Sequence, residues 1–104
     1  MSAIVVLTTV PDSRTGQKIA QALVRKKLAA CVSMSGGLRS VYHWKGKVQS
    51  ARETLLIIKT SRSLFSKLEK ALKAVHPYES PEIIALPVVL GSAKYLKWVE
   101  NLGL

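Results

Sequence analysis

The stretch from Leu28 to Thr60 constrains the fold more than any other part of the chain. Residues 28–34 (LAACVSM) are apolar and short, and so read as a strand. Gly36-Gly37 then permits a bend or bulge. Beyond it the pattern alternates, with Ser40, Tyr42 and Trp44 on one face and Arg39, Val41 and His43 on the other. Lys45-Gly46 makes a tight turn between Trp44 and Lys47, and a return strand runs to Thr60. Within it, Leu55 to Ile58 are apolar on both faces, the pattern of a central strand. A hairpin from about Met34 to Ala51 is too long for one small domain to support. It predicts a reach onto a partner.

The flanking segments complete an alternating order. Residues 3–10 (AIVVLTTV) read as a buried strand closed by Pro11. Asp12 or Ser13 can cap a helix in which Ile19, Ala20, Leu23 and Val24 form an apolar stripe, with Arg25 to Lys27 in its last turn. Gly16 weakens the first turns of that helix. Ser61 or Ser63 can cap a second helix, where Leu64, Leu68, Leu72 and Val75 recur every three or four residues and Pro77 stops the run. Residues 82–90 (EIIALPVVL) read as a fourth strand, and Pro87 there requires an edge or bulge position. Ser92 begins a last helix, with Leu96, Val99 and Leu102 inward, Trp98 on the core and Gly103 as terminator. The order β-α-β-β-α-β plus a terminal helix is an α+β, ferredoxin-like sandwich in one domain, residues 1–104. Such a sheet carries both helices on one face, so two-sided apolar central strands need a second cover. The terminal helix supplies part of it and neighbouring subunits the rest, which predicts an oligomer.

Charge narrows the partners. Sixteen Lys and Arg against six Asp and Glu leave +10 on 104 residues. That field attracts phosphate-bearing molecules, but the cations are spread from Arg14 to Lys97 with one short run, Arg25-Lys26-Lys27. Nucleic-acid contact is therefore expected to be non-specific. A sequence-reading RNA module on this fold needs exposed aromatics on its central strands, and Val, Leu and Ile stand there instead. An acylphosphatase-type enzyme needs an Arg-bearing, Gly-rich anion loop after strand one, and Thr9-Val10-Pro11-Asp12 is not one. No catalytic residue and no organic cofactor is expected. The lone Cys31 excludes an internal disulfide, no apolar run is long enough to span a membrane, and the start lacks a basic leader. These features predict a cytoplasmic chain with no membrane partner.

One segment concentrates chemistry. His76 lies where the second helix ends at Pro77, and Tyr78, Glu79 and Glu82 follow within six positions. Imidazole with carboxylate suits Cu²⁺ or Zn²⁺ better than Ca²⁺. The plainer reading has His76 capping the helix and the glutamates meeting lysines. At a helix C-terminus the dipole would favour protonated imidazole and weaken metal binding near neutrality. Glu53 and Lys59 share one strand face and suit either an ion pair or a cleft. Cys31, in an apolar strand, reads first as core packing. His43 reads as a surface or interface residue.

Several of these segments together resemble the CutA divalent-cation-tolerance family: Leu28-Ala29-Ala30-Cys31-Val32, Ser40-Val41-Tyr42-His43-Trp44-Lys45-Gly46-Lys47, Glu53, Ile58-Lys59-Thr60, His76 to Pro87, and Tyr95-Leu96-Lys97-Trp98. The resemblance covers nearly the whole chain. It implies a homotrimer built from the long hairpins, an association with copper and other divalent ions, and architectural kinship with PII-type signalling proteins. It implies no enzymatic reaction. It also implies that Tyr42, Trp44, Glu53, Lys59 and Tyr78 line an intersubunit cleft suited to a metal ion or a small anionic ligand. Copper-associated members carry a first-strand cysteine and two adjacent histidines. Here Thr8 and Val75 occupy those positions, leaving His76 alone. The metal set expected is therefore His76, Glu79 and Glu82, with Cys31 or a second subunit to complete it, and the binding expected is weak.

Overall fold

The structure, a computed structural model, describes residues 2–104. Its elements are β1 (Ala3–Val10), α1 (Ser13–Arg25), β2 (Cys31–Trp44), β3 (Lys47–Ser61), α2 (Phe65–Val75), β4 (Ile84–Pro87) and α3 (Ala93–Glu100). The four strands form one antiparallel sheet in the order β2-β3-β1-β4. This is the ferredoxin-like arrangement with an added C-terminal helix.

Alternation along β1 and β3 sets the core. Ile4, Val6 and Val10 of β1 and Leu56 and Ile58 of β3 turn to one face, where Ile19 and Leu23 of α1 and Leu68 and Leu72 of α2 cover them. Each such side chain contributes about 1.5–3 kcal/mol by leaving water. Asp12 is the residue that caps α1: its Oδ1 accepts the Thr15 N–H at 2.7 Å. Gly16 has a packing reason to be there. A Cβ on it would lie 3.2–3.3 Å from Leu56 Cδ2, Met34 Sδ and Val10 Cγ2, so its bare backbone lets α1 settle close to the sheet.

The opposite face is only partly covered. Leu96 and Val99 of α3 pack on Ala3 and Ala30, with Val88 beside them. Farther along the same face, Val5, Leu7, Leu55 and Ile57 are half-buried, while Ile84 and Leu86 of β4 are 51% and 45% exposed.

The hairpin outruns the sheet. Residues 54–61 of β3 pair with β1, whereas residues 47–53 pair only with β2. The outer part is thus a bare two-stranded ribbon, exposed throughout residues 41–50, on a molecule 44 Å long and 26 × 23 Å across. Lys45 (φ 53°) and Gly46 (φ 79°) make the left-handed turn that the ribbon's twist requires. A bulge shifts the β2–β3 register between Ser35 and Leu38, at the expected Gly36-Gly37, where Gly37 has φ 76°.

Several boundaries differ from expectation. Strand β2 begins at Cys31, because Lys27 turns left-handed (φ 59°) and the Leu28 N–H returns to Leu23 O, tying residues 27 and 28 to the end of α1. Helix α2 is preceded by a 3-10 turn, Arg62–Leu64, and neither Ser61 nor Ser63 caps it; their hydroxyls meet each other at 3.1 Å. Strand β4 spans four residues instead of nine, limited by its four rungs with β1 and by Pro87. Val24 and Val75 are exposed, so the apolar stripes of α1 and α2 are narrower than read. Trp98 is 42% exposed rather than a core residue; it stacks on Tyr95 and lies against Gly103.

Candidate functional site

The end of α2 delivers His76 to the far end of β1. Its Nε2–H donates to Thr9 O at 2.9 Å, with Thr8 Oγ1 at 3.3 Å, and its Nδ1 accepts the Tyr78 N–H at 3.2 Å. These partners select the neutral Nε2–H tautomer and leave neither nitrogen free. Burial is the largest influence on His76 and lowers its pKa, against the Thr9 bond and the Glu53 charge, which act to raise it. The helix C-terminus does not hold the imidazole protonated, contrary to expectation. The ring is buried, and desolvation disfavours its charged form.

Tyr78 then reaches Glu53, the first residue of β3 past the end of β1. The phenol donates to Glu53 Oε2 at 2.6 Å. Glu53 is 8% exposed. Tyr78's pKa is pushed far above the ordinary phenol value by burial first, then by the Glu53 bond and charge, with smaller pushes from Tyr42 and Asp12. His76, Tyr78 and Glu53 thus form one chain of contacts holding the 76–83 loop against β1 and β3, and the His76 and Tyr78 rings lie 4.9 Å apart.

The remaining residues disperse. Lys59 does not pair with Glu53; its Nζ donates to Ser33 Oγ at 2.6 Å, across from Cys31, its register partner. Cys31 is half-buried rather than packed in the core. Cys31 and Lys59 sit four rungs from Thr9's partner Leu55, roughly 13 Å at about 3.3 Å per residue. Tyr42 and Trp44 stand exposed on the ribbon, with Lys45 Nζ 6.0 Å from the Trp44 ring. Glu79, Glu82 and His43 are exposed. Among the described residues no three His, Cys, Asp or Glu side chains gather as a metal site. The donors His76, Glu79, Glu82 and Cys31 therefore do not fit a closed cage within one chain.

No pattern in the sequence could have joined His76 to Thr8 and Thr9, which lie 68 and 67 residues away. Tyr42, Trp44, Glu53 and Lys59 do fall on one sheet face, with Tyr78 reaching Glu53 from the loop.

A ferredoxin-like sheet with an overlong β2–β3 hairpin and a polar cluster at its base defines a small α+β class. Residues 4–102 match the family of the CutA1 divalent ion tolerance protein, and the chain belongs to that family. It is 52% identical over 99 residues to "Protein CutA, chloroplastic" of Arabidopsis thaliana, covering 95% of this chain and 54% of the relative, so it spans about half that protein's length. It is 49% identical over 100 residues to the "Divalent-cation tolerance protein CutA" of Thermus thermophilus, covering 95% of this chain and 97% of that one. The crystal structure of CutA1 from Oryza sativa superposes with a TM-score of 0.94 at 48% identity, covering 98% of this chain and 94% of that chain.

Proposed function

We propose that this CutA-family chain acts as a non-enzymatic homotrimer in divalent-cation tolerance. In this reading its intersubunit clefts, lined by Tyr42, Trp44, Glu53, Lys59 and Tyr78, hold a divalent metal ion or a small anionic ligand, with a PII-like signalling output. The observation that carries it is the pairing of a bare ribbon with an uncovered apolar face. An isolated two-stranded hairpin is marginal in water, and Val5, Leu7, Leu55, Ile57, Ile84 and Leu86 line a face that α3 leaves open. Two further copies satisfy both needs, laying each ribbon over a neighbour's exposed face. Copper or zinc is then an exchangeable cargo, whose ligand set Glu79, Glu82 and His76 is completed by a neighbouring copy. The half-buried free Cys31 suits a reducing compartment, and no helix among the described residues is long and apolar enough to cross a membrane; the reading places the trimer in the cytoplasm. Nucleic acid is held only through the field of the basic surface. Sedimentation equilibrium tests the assembly: three times the 11.4 kDa chain mass is expected at micromolar concentration, and a single-chain mass would overturn the reading.

A further inference from the structure

The face of the ribbon opposite the proposed cleft carries a feature that cleft does not explain. Arg39 of β2 and Arg52 of β3 are directly opposed in the register. Like charges at such a position repel across a Cβ separation of about 4.5–5.5 Å. No carboxylate relieves them, since the only ion pair among the described residues is Lys73 with Glu69 on α2. Both arginines are exposed, and among the described residues the one side-chain bond either makes is from Arg39 Nη1 to Ser50 Oγ at 3.4 Å.

The bulge creates this opposition. Before it, Val32 and Met34 of β2 face Ile58 and Leu56 on the helix-bearing side; after it, the register has moved by one residue. A one-residue shift sends every following side chain to the other face. Without the Ser35–Leu38 irregularity, Arg52 would face Leu38, and Arg39 would lie on the opposite side of the ribbon. The bulge thus brings Arg39 opposite Arg52 on the helix-bearing side. Next along that face is Thr54, whose Oγ1 lies 3.3 Å from Ser13 Oγ, and Gly36 flanks this hydroxyl pair. Gly37 leaves open space beside it, with nothing within 4 Å of where its Cβ would be.

We propose that Arg39 and Arg52 form an oxyanion site that takes the phosphate group of a small molecule. Two arginines opposed on adjacent strands, each free to swing its guanidinium on an exposed side chain, can close paired N–H donors on a phosphate dianion. The site is separate from the cleft of the proposed function. Tyr42, Trp44, Glu53 and Lys59 lie on the other face of the sheet.

The test is isothermal titration with inorganic phosphate and with glucose 6-phosphate, at ionic strength held constant with chloride. Wild type is compared with R39Q, R52Q, the double variant, and a K67Q/K70Q control that removes two charges from α2. The double variant should lose about tenfold or more in affinity for both probes, each single variant part of that, and the control less than about twofold. Tighter binding of the sugar phosphate would assign the site to phosphorylated metabolites, and equal binding to the phosphate group itself; either supports the pair. Circular dichroism establishes that each variant is folded. An unchanged double variant, an equal loss in the lysine control, or no binding to wild type overturns the proposal. So does a short single-stranded oligonucleotide that displaces both probes through the same arginines.

Discussion

The Tyr78 hydroxyl donates a 2.6 Å hydrogen bond to Glu53, a carboxylate 8% exposed that meets no cation of its own chain among the described residues. Glu53 therefore depends on a neutral donor from a loop 25 residues away. Removing that donor strands a buried anion, which costs more than the bond itself contributes. Tyr78→Phe should destabilise the protein by about 1–3 kcal/mol, with Glu53→Gln recovering part of the loss in the double variant. Urea unfolding of the four proteins measures the coupling. Equal stability of wild type and Tyr78→Phe would remove the bond from any structural role.

The same contact predicts a spectroscopic outcome. Burial and the Glu53 carboxylate push the Tyr78 phenol well above the usual tyrosine range. In an ultraviolet titration, one of the three tyrosines should resist ionisation after the ordinary range near pH 10 is passed. In Tyr78→Phe that late component should be missing.

His76 makes stability depend on pH in a definite direction. Its folded pKa lies below the unfolded value of about 6.5, so the unfolded chain binds the proton more readily. The stabilisation from the neutral ring is fully present above that value. It declines as pH falls from about 6.5 through the lower folded pKa. Protonation also turns Nδ1 into a donor facing the Tyr78 N–H, which breaks that bond. Denaturation midpoints between neutral and mildly acidic pH should therefore fall in wild type and flatten in His76→Gln. A wild-type midpoint that rises on acidification would contradict this direction.

Local chemistry made much of this legible. Asp12 caps α1, Lys45-Gly46 turns the hairpin, and Gly36-Gly37 marks the bulge, because each role is decided within a few residues. Periodicity overextends strand β4, because it reports apolar character and not the four rungs that β1 offers. The Trp98 reading failed for a similar reason: α3 has a buried side, but Tyr95 and the chain terminus provide the ring with a surface stack. The His76 cluster was half legible. Its residue types suggested chemistry, but its hydrogen bonds join a loop to a strand near the start of the chain. Gly36-Gly37 permits a bend or a bulge; the Arg39–Arg52 opposition depends on the direction of the register shift, which no single strand reveals.

Assembly should fail when the open sheet face is charged. Ile57 sits on that face, half-buried, across β1 from Leu7 and across β2 from Ser33. In the proposed trimer it becomes fully buried, where an unpaired ammonium costs several kcal/mol. Ile57→Lys should shift the sedimentation mass from three chains toward one. Arg62→Glu, an exposed change on the 3-10 turn, should leave it at three. A trimeric Ile57→Lys protein would show that the subunits meet elsewhere.

Copper or zinc should bind weakly, and through ligands that a single chain does not pre-assemble. His76 is the natural imidazole donor, but its Nε2–H is committed to Thr9 O and its Nδ1 to the Tyr78 N–H. A metal must displace one of these bonds, so part of the coordination energy goes into loosening the 76–83 loop. The lowered pKa keeps the ring neutral near pH 7, so proton competition is not what limits affinity there. Glu79 and Glu82 are exposed and free to turn toward an ion, whereas Cys31 lies at the far end of the sheet. Isothermal titration of Cu²⁺ should accordingly show affinity far weaker than nanomolar. Glu79→Gln with Glu82→Gln should weaken it further, with no cost to folding because both side chains are on the surface. His76→Gln should weaken it as well, and His43→Ala and Cys31→Ser should leave it nearly unchanged. If His43→Ala abolishes binding while the two glutamate changes do nothing, the ion is held on the ribbon and the loop assignment is wrong. Nanomolar affinity that survives every one of these substitutions would place the ion among groups contributed by other positions of the assembled subunits.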